Sequence, residues 1–279
     1  MPFLFSSAKS STELPIGIAF LDTGISPMSD FIKPTNRIVV FSDFIHGQKS
    51  PYDDNGHGTH VAGIASGNGF LSHGKYCGIA PETNIISLKI LDREGQGSSA
   101  HAIHAMSWIL AHAKQYNIKV VNLSIGSNDK KINIPLKESV EKLWEQGIVV
   151  VAAAANPDGR GNKIHHVPLS KKIITVGAWE DRSFFHLPNQ PLTENRPTVF
   201  ASGENIISLM SPQYRFGLSG RKRSNVVGRN YISMSGASMA TPFVSGMVAR
   251  ILKEHPEATP IEIVKEVVSV AERNHGVFK

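Results

Sequence analysis

The chain has one cysteine, Cys77, so no disulfide can form within it. That suits a reducing compartment without excluding an oxidising one. Long apolar runs are missing too. The longest, Ile148 to Ala155, is eight residues, against the roughly 18 needed to cross a bilayer. Met1 to Pro15 holds a short apolar patch, Phe3-Leu4-Phe5, but no basic start, which is not the pattern of a secretory signal. No repeat or low-complexity tract is present. Acidic residues are absent from one long stretch. Between Asn205 and Lys253 there is no Asp or Glu, while Arg215, Arg221, Lys222, Arg223, Arg229, Arg250 and Lys253 supply seven positive charges. The whole chain carries only +6, so its basicity is local. Positive charge alone suggests nucleic acid, but no motif of that class accompanies it.

What is present is enough for a full core: 279 residues, 41% of them hydrophobic, with no dividing linker. We expect one domain over 1–279. Residues 1–15 form a lead-in, and 212–230, with its glycines and serines, reads as a long basic loop.

Short apolar runs alternate with helical patterns. Ile16–Leu21, Arg37–Phe44, Asn84–Ile90, Val120–Leu123, Ile148–Ala155 and Ile173–Val176 read as strands. Ser98–Tyr116 reads as a helix with Ile103, Met106, Leu110 and Ala113 on its apolar stripe. A second helix is marked by Leu136, Val140, Leu143 and Trp144, and Gly147 ends it. The alternation implies an α/β fold with a mainly parallel central sheet flanked by helices on both faces. Asp22, Ser124 and Asn156 then fall just past strand ends, on one rim of that sheet, where open α/β sheets place their sites.

Ser238 opens a helical pattern, with Phe243, Val244, Met247, Val248, Ile251 and Leu252 apolar and Pro242 expected in its first turn. A helix N-terminus favours negative charge, as a nucleophile beside an oxyanion requires; a serine there is also an ordinary cap. Asp22, in Asp22-Thr23-Gly24, is as readily a turn aspartate. His57 and His60 sit three apart, after Asp54 or Asn55 as a helix cap. They can face one metal, but the spacing is not H-E-x-x-H and no third ligand lies nearby. Three glycines in eight residues argue for a helix that packs closely rather than one chosen for propensity. His101, His104 and His112 read as surface or boundary residues.

A serine on a helix N-terminus, a histidine, a carboxylate and a polar amide together form a set suited to nucleophilic acyl transfer. The motifs D-T-G at 22–24, H-G-T-H-V-A-G at 57–63, N-L-S-I-G at 122–126, A-A-A-N at 153–156 and S-G-A-S-M-A-T-P at 235–242 resemble those of the subtilisin-like serine proteases, the subtilases. The Asp…His…Ser order is the subtilisin order, and the resemblance runs from about Ile16 to the C-terminal helices. It implies a serine endopeptidase acting on polypeptides. Ser238 would be the nucleophile, His57 the general base and acid, and Asp22 the residue that orients His57. Asn156 would donate to the oxyanion beside the Ser238 N–H. Ser124-Ile125-Gly126 and Ala153-Ala154-Ala155 would line the main specificity pocket. Their lack of charge and modest bulk point to a large apolar residue before the scissile bond.

Some features depart from that pattern. Ala155 stands where the family usually has glycine. Gly69–Cys77 lacks the asparagine-rich calcium loop of many secreted relatives, although Asp30 matches one carboxylate ligand. We therefore expect no cofactor for catalysis and no supported structural calcium. Asp181–Arg196 carries no segment that resembles the family's pattern. Neither a signal nor an inhibitory pro-segment precedes Asp22 in this chain. The expectation is thus the intracellular branch and a cytoplasmic protein, or a secreted one if a pre-pro region has been removed, with no membrane or nucleic-acid partner.

Overall fold

The structure is a computed structural model that describes residues 14–124, 134–154, 170, 172–180, 197–215, 223–273 and 277–278. In chain order it contains β1 (Gly17–Asp22), α1 (Ser29–Ile32), β2 (Ile38–Asp43), α2 (His57–Ser66), β3 (Asn84–Lys89) and α3 (Ser99–His112). There follow β4 (Ile118–Leu123), α4 (Ile134–Glu145), β5 (Val149–Ala153), β6 (Ile174–Ala178), β7 (Val199–Ala201) and β8 (Ile206–Leu209). The chain ends with β9 (Val226–Val227), β10 (Tyr231–Met234), α5 (Ala237–Glu254), α6 (Pro260–Arg273) and β11 (Val277–Phe278).

Eight strands form one sheet in the order β11-β7-β6-β5-β4-β1-β3-β2, and every pairing in it is parallel. Successive side chains of a strand point to opposite faces, and here both faces are covered. Ile18, Phe20, Ile85, Val149 and Val151 pack into one core with α2, α5 and α6. Ala19, Leu21, Ile86, Leu88, Val150 and Ala152 pack into the other with α3 and α4. Burial on both faces is why the strands read as unbroken apolar runs rather than alternating ones.

Several sequence expectations need correcting. The buried stripe of α3 is Ala102, Ala105, Met106 and Ile109; Ile103, Leu110 and Ala113 pack only at its margin. Of the expected stripe only Met106 is fully buried; Ile103 and Leu110 flank the buried face, which is partly alanine. Residues 212–230 are not wholly a loop. Val226–Val227 is a strand that pairs antiparallel with β10, completing a small β8-β10-β9 sheet. Pro242 is the sixth residue of α5, not in its first turn. Having no N–H, it leaves the Ser238 carbonyl four residues back without its helical donor.

Candidate active site

The rim formed by the C-terminal ends of the parallel strands gathers most of the expected residues. Asp22 is the last residue of β1 and only 1% exposed, while the side chain of His57, the first residue of α2, is 18% exposed. Asp22 Oδ1 meets His57 Nδ1 at 2.7 Å and also accepts the Thr23 N–H at 2.7 Å. A buried carboxylate against Nδ1 fixes the imidazole with Nδ1–H donating, which turns Nε2 into the acceptor. The close approach depends on glycine. A Cβ at Gly58 would collide with the Gly24 carbonyl and press on Asp22 Cβ, and Gly24 itself sits at φ +115°. The glycines around His57 therefore serve packing, as their low helix propensity suggested.

Ser238 is the second residue of α5, half-buried, behind Gly236 at φ +137°. At this position its backbone N–H has no acceptor within the helix. Its Oγ donates to the Ser124 carbonyl at 3.2 Å. Ser124 directly follows β4, and the ends of β4 and β5 are paired, Leu123 opposite Ala152. Ser124, Ala153 and Ala154 are buried there. Ile125, Gly126, Ala155 and Asn156 lie outside the described residues, as do Asp181–Arg196.

The two histidines of α2 diverge. His57 turns to Asp22, whereas His60 is fully buried and its Nε2 lies 3.1 Å from both the Ile206 and Ile232 carbonyls. They do not share a ligand, and among the described residues no cluster of three or more His, Cys, Asp or Glu is placed to hold a metal.

Asp30 is fully buried, and its oxygens are engaged by protein donors. Oδ1 accepts the Leu71 N–H at 2.7 Å and Oδ2 accepts the Tyr231 hydroxyl at 2.9 Å. Burial, and after it the Asp30 carboxylate, push the Tyr231 phenol up to about 12, with a hydrogen bond from Ser72 opposing. Tyr231 therefore stays a protonated donor at neutral pH.

Sequence reasoning passed over several residues that build this rim. Asn122, fully buried on β4, donates to Ser124 Oγ at 2.9 Å and accepts from Ser245 of α5 at 2.8 Å, locking the strand end to the helix that bears Ser238. Lys89 is fully buried at the end of β3. Its ammonium donates to the Thr23 carbonyl at 2.6 Å and to the Leu91 carbonyl and Asp54 Oδ1 at 2.8 Å. A lysine inside an apolar strand run was the available signal, since a buried lysine must find partners.

Residues 16–278 match the Subtilase family. The chain belongs to the subtilases. This is a family of hydrolases, the subtilisin-like serine proteases. Over 284 aligned residues the chain is 38% identical to serine protease AprX of Bacillus subtilis (strain 168), covering 94% of this chain and 62% of that protein. It is 30% identical to subtilisin E of the same strain, over 92% of this chain and 60% of that protein. To the subtilisin of Bacillus pumilus it is 30% identical, over 92% of this chain and 83% of that protein. The chain thus spans about three fifths of AprX and of subtilisin E. Among solved structures, the S41 psychrophilic protease is similar with a TM-score of 0.71 at 25% identity, over 92% of this chain and 82% of that one. No helix among the described residues is long and apolar enough to cross a membrane.

Proposed function

We propose that this subtilase domain is a serine endopeptidase in which Ser238, His57 and Asp22 act as a triad. The observation that carries the reading is the buried Asp22 carboxylate 2.7 Å from His57 Nδ1, on the same rim as a half-buried serine at a helix N-terminus. His57 Nε2 takes the Ser238 proton as Oγ attacks the peptide carbonyl. The tetrahedral oxyanion is met by the Ser238 N–H and the Asn156 side chain. His57 then gives its proton to the leaving amine, and water attacks the acyl-enzyme through the same base.

We assign the uncharged pocket for a large apolar residue before the scissile bond to the segments Ser124-Ile125-Gly126 and Ala153-Ala154-Ala155, of which Ser124, Ala153 and Ala154 are buried at the ends of β4 and β5. Just before His57 in the chain, the Asp53 carbonyl accepts from Ser211 Oγ at 2.8 Å and Gly56 packs against Tyr214. The Arg215 N–H donates to the Asn55 carbonyl at 3.3 Å, so an exposed arginine stands two residues from His57 in this contact. From this one exposed arginine we infer an attraction for acidic residues beyond the scissile bond, or for an acidic pro-segment. Cleavage profiling on a peptide library is the test. The expected result is enrichment of large apolar residues before the cut and acidic ones after it. Arg215→Ser should lower turnover of acidic peptides by about two- to fivefold, the scale of an exposed charge contact, and leave neutral ones unchanged. A basic preference before the cut, or an equal response of acidic and neutral peptides, contradicts the assignment.

We also propose that the domain needs no calcium at the Asp30 position. Asp30 is fully buried and each of its oxygens already accepts a protein donor, the Leu71 N–H and the Tyr231 hydroxyl, which supports a structural carboxylate there. Melting temperatures with calcium and with a chelator should differ by less than about 3 °C, the shift that roughly 1 kcal/mol makes in a domain of this size. A larger drop in the chelator would show a calcium site that stabilises the fold.

A further inference from the structure

Two catalytic groups on different elements must keep a fixed geometry, and one buried carboxylate spans the elements that carry them. Asp53 is fully buried, and its carboxylate accepts five hydrogen bonds. Its Oδ1 accepts from Thr23 Oγ1 at 2.9 Å, the Asn55 N–H at 3.2 Å and the Gly56 N–H at 2.8 Å. Its Oδ2 accepts from the Thr59 N–H at 2.8 Å and Thr59 Oγ1 at 2.6 Å. Thr23 Oγ1 in turn accepts the Gly58 N–H at 2.9 Å. Thr23 follows Asp22 and Gly58 follows His57, so this hydroxyl bridges the residues flanking the couple.

The start of α2 shows how far the network reaches. Its N-cap, Gly56, has no side chain with which to cap. The His57 N–H goes to Asn55 Oδ1 at 3.1 Å, the Gly58 N–H to Thr23, the Thr59 N–H to Asp53 and the His60 N–H to the Gly56 carbonyl at 3.3 Å. Each N–H that a helix leaves open at its start is satisfied, two of them by side chains that tie α2 to the end of β1. An asparagine at 53 cannot substitute. It offers one acceptor oxygen, and its amide hydrogens would face the donors of Thr59 or Thr23. Burying a carboxylate is costly unless such donors and a helix N-terminus meet it.

We propose that Asp53 is a positioning residue for catalysis, holding His57 against Asp22 through Thr23. The proposal rests on the triad reading. Ser124, Ala153 and Ala154 lie at the ends of β4 and β5, outside this network, so with neutral peptides, which do not use the Arg215 surface, loosening it should lower kcat and spare KM.

The test uses the full chain with Asp53→Asn, Thr23→Val, Thr23→Ser and the Asp53→Asn/Thr23→Val double variant. Rates are expressed per active site titrated with a fluorophosphonate. Asp53→Asn should lower kcat by about 10²-fold, the scale of a catalytic group misplaced by about 1 Å, with KM within about twofold. Thr23→Val should lose about tenfold, Thr23→Ser should recover most of that loss, and the double variant should be no worse than Asp53→Asn, because residues in one network are not additive. A kcat within about threefold of wild type for Asp53→Asn, a loss lying in KM, or multiplying effects in the double variant would overturn the proposal. If Asp53→Asn does not fold, the two Thr23 variants decide, and equal turnover in both overturns it. Failure of the wild type to react at Ser238 would instead remove the triad reading itself.

Discussion

Ser238→Ala is expected to lower kcat by about 10⁶, the scale set by the triad of subtilisin itself, while leaving the fold intact. The substitution removes only Oγ. Among the described residues that atom makes one long hydrogen bond, 3.2 Å to the Ser124 carbonyl, and the loss of that bond should change stability by no more than about 1 kcal/mol. Its chemical part has no substitute. Without Oγ no acyl-enzyme forms, and His57 has no hydroxyl to deprotonate. Turnover of a peptide substrate, measured beside a melting curve, separates the two effects. Activity within tenfold of wild type would show that Ser238 is a helix residue and not the nucleophile.

Asn156→Ala is expected to cost about 10²–10³ in kcat with KM nearly unchanged, again a scale taken from subtilisin, where a side-chain oxyanion donor was removed. Asn156 follows Ala153-Ala154-Ala155 in the sequence, and Ala153 is the last residue of β5. Its donor would meet the carbonyl oxygen only once that oxygen carries charge and has moved out of the peptide plane. An interaction made only in the transition state appears in kcat. A loss falling chiefly in KM would make Asn156 a contact to bound substrate.

Most of the sheet was legible in the chain because both of its faces are buried, so the strands stand out as apolar runs between polar turns. Ile148–Ala155 reads as a strand, and β5 covers Val149–Ala153; Ile16–Leu21 matches β1, shifted by one residue. The rim positions of Asp22 and Ser124 followed from where those runs stop. The connections between distant residues were not legible. Asp53 sits in an Asp-Asp-Asn-Gly cluster where only Asp54 and Asn55 stand out, as helix caps, and its role depends on Thr23, thirty residues away. Asp54 or Asn55 was the expected cap for α2. Asn55 does serve the His57 N–H, but Thr23 and Asp53 serve the next two. Local propensity does not reveal a cap supplied from another strand. The pairing of β9 was hidden for the same reason: a two-residue strand has no periodicity, and only β10 beside it gives it a ladder.

The most direct test of the triad is covalent labelling by a serine-directed fluorophosphonate, followed by peptide mapping. The account predicts one label per chain, on Ser238, with a rate that collapses when His57 is replaced by alanine and nothing is left to deprotonate Oγ. No label, a label on another residue, or an unchanged rate in His57→Ala would contradict it.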